Sequence, residues 1–253
     1  RQAMLKTVAP RSPQLFKYAV WTYKHVSSLL LPEPPPNTQP LRSQAGVRQG
    51  DPCGPLFFAL AMQDVLESVA QWHEHVRVIA YLDETFLQGP KAKVEAAYKD
   101  LRDLSAEIGL VMQPKKSTAF SCEAENAIQL ADAIGCEVNA SGIVAAGCPI
   151  GGHEYVAEQA QKSADKVEGL VNILTSLDLP LQDQLLIMRK SLQAKVAHFA
   201  RCGLFNDIQG ALFSSEKAIS DAVLHIIGRE ECLVDMEQLR LPTRKGGLGI
   251  QCL

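Results

Sequence analysis

The sequence predicts an α+β chain: a first part in which antiparallel β-hairpins lie against helices, followed by an all-α bundle. Two observations carry this. The stretch Val76–Pro90 has the grammar of a hairpin: an apolar β-type run (Val76, Val78, Ile79, Tyr81), two adjacent carboxylates, a second short run (Phe86, Leu87) and a stop at Gly89-Pro90. After Gly151-Gly152 strand-like runs cease, and residues 154–177, 181–202 and 209–227 read as long amphipathic helices. A domain boundary is therefore expected near Gly151, dividing the chain into 1–151 and 152–253.

In chain order, residues 12–31 carry helical spacing (Leu15, Tyr18, Ala19, Trp21, Val26, Leu29–Leu31), and Pro32 with Pro34–Pro36 ends any helix. Pro32–Pro40 reads as a loop and Leu41–Val47 as a returning strand. Asp51 is placed to cap a helix that Pro52 and Pro55 enter and that runs to about Ala70. Residues 91–109 are amphipathic, with Val94, Ala97, Tyr98, Leu101, Leu104 and Ile108 in register and Gly109 as C-cap. Leu110–Met112 and Thr118–Ser121 suggest short strands around Gln-Pro-Lys-Lys. Residues 123–135 read as a helix ending at Gly135, and Gly142–Ile150 as one strand.

The acidic pair Asp83-Glu84 raises the question of chemistry. Asp is a common turn residue and Glu is not. Two neighbouring carboxylates repel unless something positive sits with them. Mg²⁺ takes oxygen ligands and is held by one or two carboxylates plus substrate phosphates. An isolated Asp-Glu is most often only a solvated turn, so the reading depends on its neighbours. Thirty residues upstream stands Gly46-Val-Arg-Gln-Gly-Asp-Pro52, leading into Leu56, Phe57 and Leu60.

Together these two motifs strongly resemble the reverse transcriptase of non-LTR (LINE-type) retrotransposons, in the family's order and at about its spacing. The resemblance implies a polymerase-like palm, an antiparallel sheet with packed helices, followed by an all-α thumb-like bundle. It implies an RNA-directed DNA polymerase, a nucleotidyltransferase of a transposable element. Its partners would be an RNA template, a DNA primer and dNTP, and its cofactor Mg²⁺ or Mn²⁺. Asp83 and Glu84 match the family's Tyr-x-Asp-Asp pair and would be both catalytic and metal-binding. Arg48, Gln49, Gly50 and Tyr81 match positions that contact nucleotide and template. Lys115 or Lys116 resembles the lysine that meets the triphosphate. Gly147, Pro149 and Gly151 resemble the segment that grips the primer.

The sequence departs from the family pattern twice. Glu84 stands where the family has Asp. The extra methylene moves the carboxylate by about 1 Å or more, whereas catalytic geometry tolerates roughly 0.5 Å. Residues 1–50 contain no Asp, although two-ion phosphoryl transfer needs carboxylates from more than one strand. The family's first carboxylate precedes a stretch resembling Arg1–Leu5, and there is no initiator Met, so the chain is expected to be a fragment that cannot polymerise alone. The alternative is a non-catalytic nucleic-acid-binding or scaffold protein on a decayed reverse-transcriptase fold.

Bulk properties bound these readings. No apolar run approaches 18 residues and the N-terminus lacks a signal-peptide core, so an intracellular chain is expected. The seven cysteines are widely spaced with no Cys-x-x-Cys pair, which argues against a zinc site or disulfide framework. The six histidines show no ligand spacing with partners. The net charge of −3 is not that of a basic nucleic-acid binder. Residues 1–50, however, hold seven Lys or Arg against Glu33 alone, enough for phosphate contacts if they share a face. Arg189, Lys190, Lys195 and Arg201 could line a duplex-facing surface of the bundle, diluted by acids on the same helices.

Overall fold

The computed structural model describes residues 1–29, 39–228 and 233–250. It divides into two units. The first comprises residues 1–119 and 123–138, and the second residues 120–122 and 139–253.

The first unit begins with α1 (Gln2–Arg11) and α2 (Pro13–Tyr23). The helix expected over 12–31 is thus shorter. Ser12 leaves helical geometry (φ −146°) ahead of Pro13, which opens α2, as the residue before a proline is steered to extended backbone. Beyond α2 the chain turns extended, and β1 (Ser27–Leu29) pairs antiparallel with β2 (Leu41–Ser43). The predicted Pro32–Pro40 loop lies largely outside the described residues. Helix α3 (Gly54–Trp72) follows. Met4, Val8, Ala19, Tyr23 and Phe57 form one small core where α1, α2 and the start of α3 meet.

The far half of α3 supports the predicted hairpin. Strands β3 (Arg77–Tyr81) and β4 (Glu84–Gln88) pair antiparallel, and α4 (Lys91–Glu107) returns beside them. Val65, Val69, Val76, Val94, Ala97 and Leu101 form the second core, with Val78 and Leu87 packed against it. The predicted end of α4 is correct in its chemistry. Gly109 takes φ +83°, its N–H bonds Ala106 O at 2.9 Å, and the Leu110 N–H bonds Ser105 O at 2.9 Å. That double bond satisfies carbonyls the helix end leaves open.

Two strand expectations fail here. Leu110–Met112 forms no strand. Beside it lies a 3₁₀ turn, Pro114–Lys116. β5 is only Thr118–Ala119, and it pairs parallel with β6 (Glu137–Val138) after α5 (Ala124–Ile134). Among the described residues the strands make four separate two-stranded ladders, three antiparallel and one parallel. No larger antiparallel sheet joins them.

The second unit opens with a hairpin where a single strand was expected. β7 (Gly142–Ala145) and β8 (Cys148–Gly151) pair antiparallel about Ala146-Gly147. Both turn residues have positive φ, +49° and +78°, which a type I′ hairpin turn requires. Gly142 and Gly151 are cross-strand partners packed under the Tyr155 ring. A Cβ on Gly142 would sit 2.3 Å from Tyr155 Cδ1 and 2.6 Å from Ile150 O.

Helices α6 (His153–Ser176), α7 (Leu181–Ile187), α8 (Gln193–Cys202) and α9 (Phe205–Ile226) build the bundle. α6 buries Val156, Ala160, Ala164, Val167, Val171 and Leu174, a stripe at helical spacing. It packs mainly on α9, whose Ile208, Ala211, Leu212, Ile219 and Val223 share the same core. Predicted helix 181–202 is interrupted by a π-helical stretch, Met188–Leu192, whose ends Met188 and Leu192 are buried. A short α10 (Leu233–Arg240) follows. No described helix is long and apolar enough to cross a membrane.

The cysteine spacing predicts no disulfide framework, and none is seen among the described residues; one pair, Cys148 and Cys202, 54 residues apart, is nonetheless joined as a disulfide. The pairing comes from topology, because the β7–β8 hairpin sits beside α8. Sequence spacing carries no trace of it.

Candidate functional site

The Gly46–Pro52 loop is held from behind. Tyr23, at the end of α2, is 1% exposed and packs edge-on against Phe57 at 6.0 Å. Its hydroxyl donates to Asp51 Oδ2 and accepts the Arg48 N–H at 3.1 Å. The Tyr18 hydroxyl donates to Asp51 Oδ1 at 2.9 Å, and the Cys53 N–H reaches the same oxygen at 2.9 Å. Asp51 is therefore not the helix cap itself, which is Cys53. It caps the turn that leads into α3 and ties the loop to α2.

Burial pushes the Asp51 carboxyl up. Hydrogen bonds from Tyr23, the Cys53 N–H and Tyr18, with the nearby Arg48 charge, outweigh it and hold the group below its ordinary range. The same contacts raise the two phenols. For Tyr23 burial is the larger cause and the Asp51 bond the second, and for Tyr18 the order is reversed.

Arg48 turns inward. Its guanidinium donates to Ser27 Oγ and lies 5.7 Å from the Tyr23 ring centroid. Gln49 and Gly50 are left exposed at the loop tip. The Asp51 N–H bonds Arg48 O at 3.2 Å, and Gly50 has φ +89°. Gly50 thus occupies the third position of a tight turn, where type II geometry calls for glycine. The loop presents two of the four residues expected to meet nucleotide and uses Arg48 internally.

The hairpin presents its acids at the tip. Leu82 and Asp83 are the two turn residues between the paired Tyr81 and Glu84. All four are exposed, Tyr81 at 66%. Side chains alternate across a strand, so Glu84 shares the open face of the hairpin with Tyr81, Ile79 and Phe86. Val78 and Leu87 point to the core. Asp83 and Glu84 suit one hard divalent cation, which needs one or two carboxylates plus phosphate oxygens. Among the described residues, Asp83 and Glu84 belong to no group of three His, Cys, Asp or Glu side chains whose ligand atoms all lie within 4.8 Å of one another.

The remaining predicted positions lie on other elements. Lys115 and Lys116 are exposed on the 3₁₀ turn Pro114–Lys116 of the first unit. Gly147, Pro149 and Gly151 belong to the β7–β8 hairpin of the second unit, with Gly147 in its turn, Pro149 buried and Gly151 exposed. Arg189, Lys190 and Arg201 line one depression of about 390 Å³, and Lys195 lines a different, apolar one.

Three of the seven N-terminal cations are engaged within the protein. Arg1 donates to Ser43 O at 2.8 Å and Gly46 O at 3.0 Å, Arg11 bridges Asp64 and Glu67, and Arg48 is held as described. Lys6, Lys17, Lys24 and Arg42 are exposed.

Sequence reasoning missed Tyr18 and Tyr23 as the supports of the loop. Their spacing of five places them only roughly on one helical face, and nothing local links them to Asp51. It also missed His198 and Cys202. Their i, i+4 spacing was the available signal, since such pairs face the same side of a helix.

The chain belongs to the reverse transcriptase (RNA-dependent DNA polymerase) family, whose model matches residues 10–165, more than half its length. The matched span holds the loop, the acidic hairpin, the lysine turn and the β7–β8 hairpin. No curated protein and no solved structure matches the chain.

Proposed function

We propose that this chain is the palm and thumb portion of a non-LTR-type reverse transcriptase that engages RNA template, DNA primer and dNTP but does not extend primers by itself. In this reading residues 1–151 serve as partial fingers and palm, and residues 152–253 as a thumb with a C-terminal extension. The observation that carries it is the exposed tip of the β3–β4 hairpin, where Tyr81, Asp83 and Glu84 lie within four consecutive residues of a paired two-strand support.

Asp83 and Glu84 would hold Mg²⁺, which when bound neutralises phosphate charge and assists departure of pyrophosphate. Tyr81 offers a stacking surface beside the acids. Gln49 and Gly50 lie along the nascent base pair, kept in place by Asp51 and its two tyrosines. Lys115 or Lys116 binds the triphosphate. Gly147 and Gly151 contact the primer strand, and the buried Pro149 supports them from within the hairpin. The missing capacity follows from the acids: two neighbouring carboxylates cannot surround two ions about 3.5–4 Å apart, and Glu84 places its oxygens farther out than Asp would.

The test is Mg²⁺-dependent primer extension on an RNA template, with Asp83→Asn as control. The expected result is no extension by either chain, with primer–template binding that weakens steeply as salt rises. Extension by the parent that Asp83→Asn abolishes would refute the claim of inactivity. Absence of binding even at low salt would refute the claim that the chain engages nucleic acid.

A further inference from the structure

We propose that Cys148, His198 and Cys202, with the two cysteines reduced, form a site for a borderline-soft divalent cation, zinc foremost, that pins the β7–β8 hairpin to α8. Their ligand atoms all lie within 4.8 Å of one another, and they are the one group of three or more His, Cys, Asp or Glu side chains among the described residues that does so. Two thiolates and an imidazole suit zinc, whereas magnesium and calcium prefer oxygen.

The geometry of approach agrees with this. Around tetrahedral zinc, a sulfur at about 2.3 Å and a nitrogen at about 2.0–2.1 Å lie roughly 3.5 Å from each other. Cys148 Sγ and His198 Nε2 are separated by 3.5 Å. His198 and Cys202 stand one turn apart on α8, so both side chains emerge from one face. Cys148 opens β8 directly after the Ala146-Gly147 turn, which holds it against that face. His198 Nε2 also lies 3.2 Å from Ala146 O, where it is the N–H donor, so ligation replaces that hydrogen bond and leaves the ring proton on Nδ1; a Cβ on Gly147 would come within 3.1 Å of Nε2. The tight turn is thus what lets the imidazole reach the hairpin. His198 and Cys202 are exposed and Cys148 half-buried, so an ion can enter from solvent. Three protein ligands leave a fourth position for water.

The ion and the disulfide exclude each other, because a bonded sulfur pair has no thiolate to offer. A phosphine reductant opens the site. With one water it becomes a phosphine oxide, the S–S bond breaks, and each sulfur receives a proton. Zinc then binds both sulfurs as thiolates and releases those two protons.

The experiment uses the full chain, reduced with a phosphine, freed of reductant under anaerobic conditions and titrated with Co²⁺ and then Zn²⁺. One equivalent of Co²⁺ should give thiolate charge-transfer absorption and the visible bands of a tetrahedral ion, and Zn²⁺ should erase both. Alkylation of the zinc-loaded wild-type chain, mapped by mass spectrometry, should spare Cys148 and Cys202 while Cys53 and Cys122 react. Cys148→Ser or Cys202→Ser should weaken binding about 100-fold or more, at or above the 10–100-fold loss from removing an outer-shell partner. Cys122→Ser should change nothing. A reduced chain without charge-transfer absorption, or one in which zinc protects other cysteines instead, overturns the proposal. So does a folded Cys148→Ser, Cys202→Ser double variant that binds as tightly as wild type. The first two readouts need no variant, so a misfolded mutant cannot shield the idea.

Discussion

Asp51→Ala should loosen α2 and the start of α3 without touching the bundle. The substitution removes an acceptor that serves the Tyr18 hydroxyl, the Tyr23 hydroxyl and the Cys53 N–H. Hydrogen bonds to a charged group contribute about 1.5–3 kcal/mol each, and a buried donor left without a partner costs about 1–3 kcal/mol. Tyr23 is the buried member, and it keeps only the Arg48 N–H as a contact to its hydroxyl. Tyr18 and the loop can relax toward water. A local destabilisation of about 2–4 kcal/mol follows. Native-state hydrogen exchange reads it directly, as exchange roughly 30- to 700-fold faster in peptides covering 13–23 and 54–62. Peptides of α9, in the other unit, should be unchanged. Tyr23→Phe alone should give about 1.5–3 kcal/mol, and the double variant less than the sum, because both singles remove the same bond. Unchanged exchange in α2, or strict additivity, would refute the assignment of Asp51 as the tie between loop and helix.

The same cluster sets a pH response at both ends. The depressed Asp51 carboxyl stabilises above its unfolded value near pH 4, and that contribution is lost as pH falls through the lower folded value. The raised Tyr18 and Tyr23 phenols stabilise below their unfolded value near pH 10, and theirs is lost as pH rises through the higher folded values. Exchange protection of α2 should hold from about pH 5 to 9 and fail on both sides. Gly142→Ala should loosen the β7–β8 hairpin by about 1–3 kcal/mol, since the added methyl meets both Tyr155 and Ile150 O. Gly50→Ala should weaken the loop by about 1–2 kcal/mol through its positive φ, seen as faster exchange at Gln49–Cys53 with α9 unaffected.

What could be read in advance was periodic or local. Helix α4 and the helical stripes of α6 and α9 announced themselves because apolar residues recur at helical spacing, with Gly109 marking the end of α4 and Gly152 the start of α6. The β3–β4 hairpin was legible because alternation and a polar tip coincide. The failures share a different cause. β5 and β6 pair in parallel across an intervening helix, and two residues per strand leave no alternation to see. Tyr18 and Tyr23 meet Asp51 only after α2 folds onto α3. Cys148 meets Cys202 and His198 only after the second unit closes. In each case the partner is set by packing between elements, which a one-dimensional pattern does not encode. The strand-like reading of Gly142–Ile150 held for its residues but did not locate the turn within them: Ala is an unusual residue for a turn position with positive φ, so Ala146-Gly147 did not look like one.

Leu82 and Ala146 are the two non-glycine residues with positive φ among the described residues, at +54° and +49°, and each begins a two-residue hairpin turn. Holding an L-residue there costs about 1–2 kcal/mol, which glycine or asparagine largely avoids. A hairpin shaped for stability alone would carry Asn or Gly at these positions. Leu82→Asn and Ala146→Asn should therefore each stabilise their hairpins by about 0.5–1 kcal/mol, measured as slower exchange in β3–β4 and β7–β8 respectively. The strained residue in the first turn immediately precedes Asp83, and in the second it lies two residues before Cys148. Strain persists where surrounding structure over-determines it, and it gathers at sites where the aim of a side chain matters. If Leu82→Asn stabilises its hairpin and also weakens nucleotide or metal engagement by Asp83, the turn trades stability for the placement of its carboxylate. If stability rises with no change in binding, the strain at Leu82 has no part in positioning Asp83.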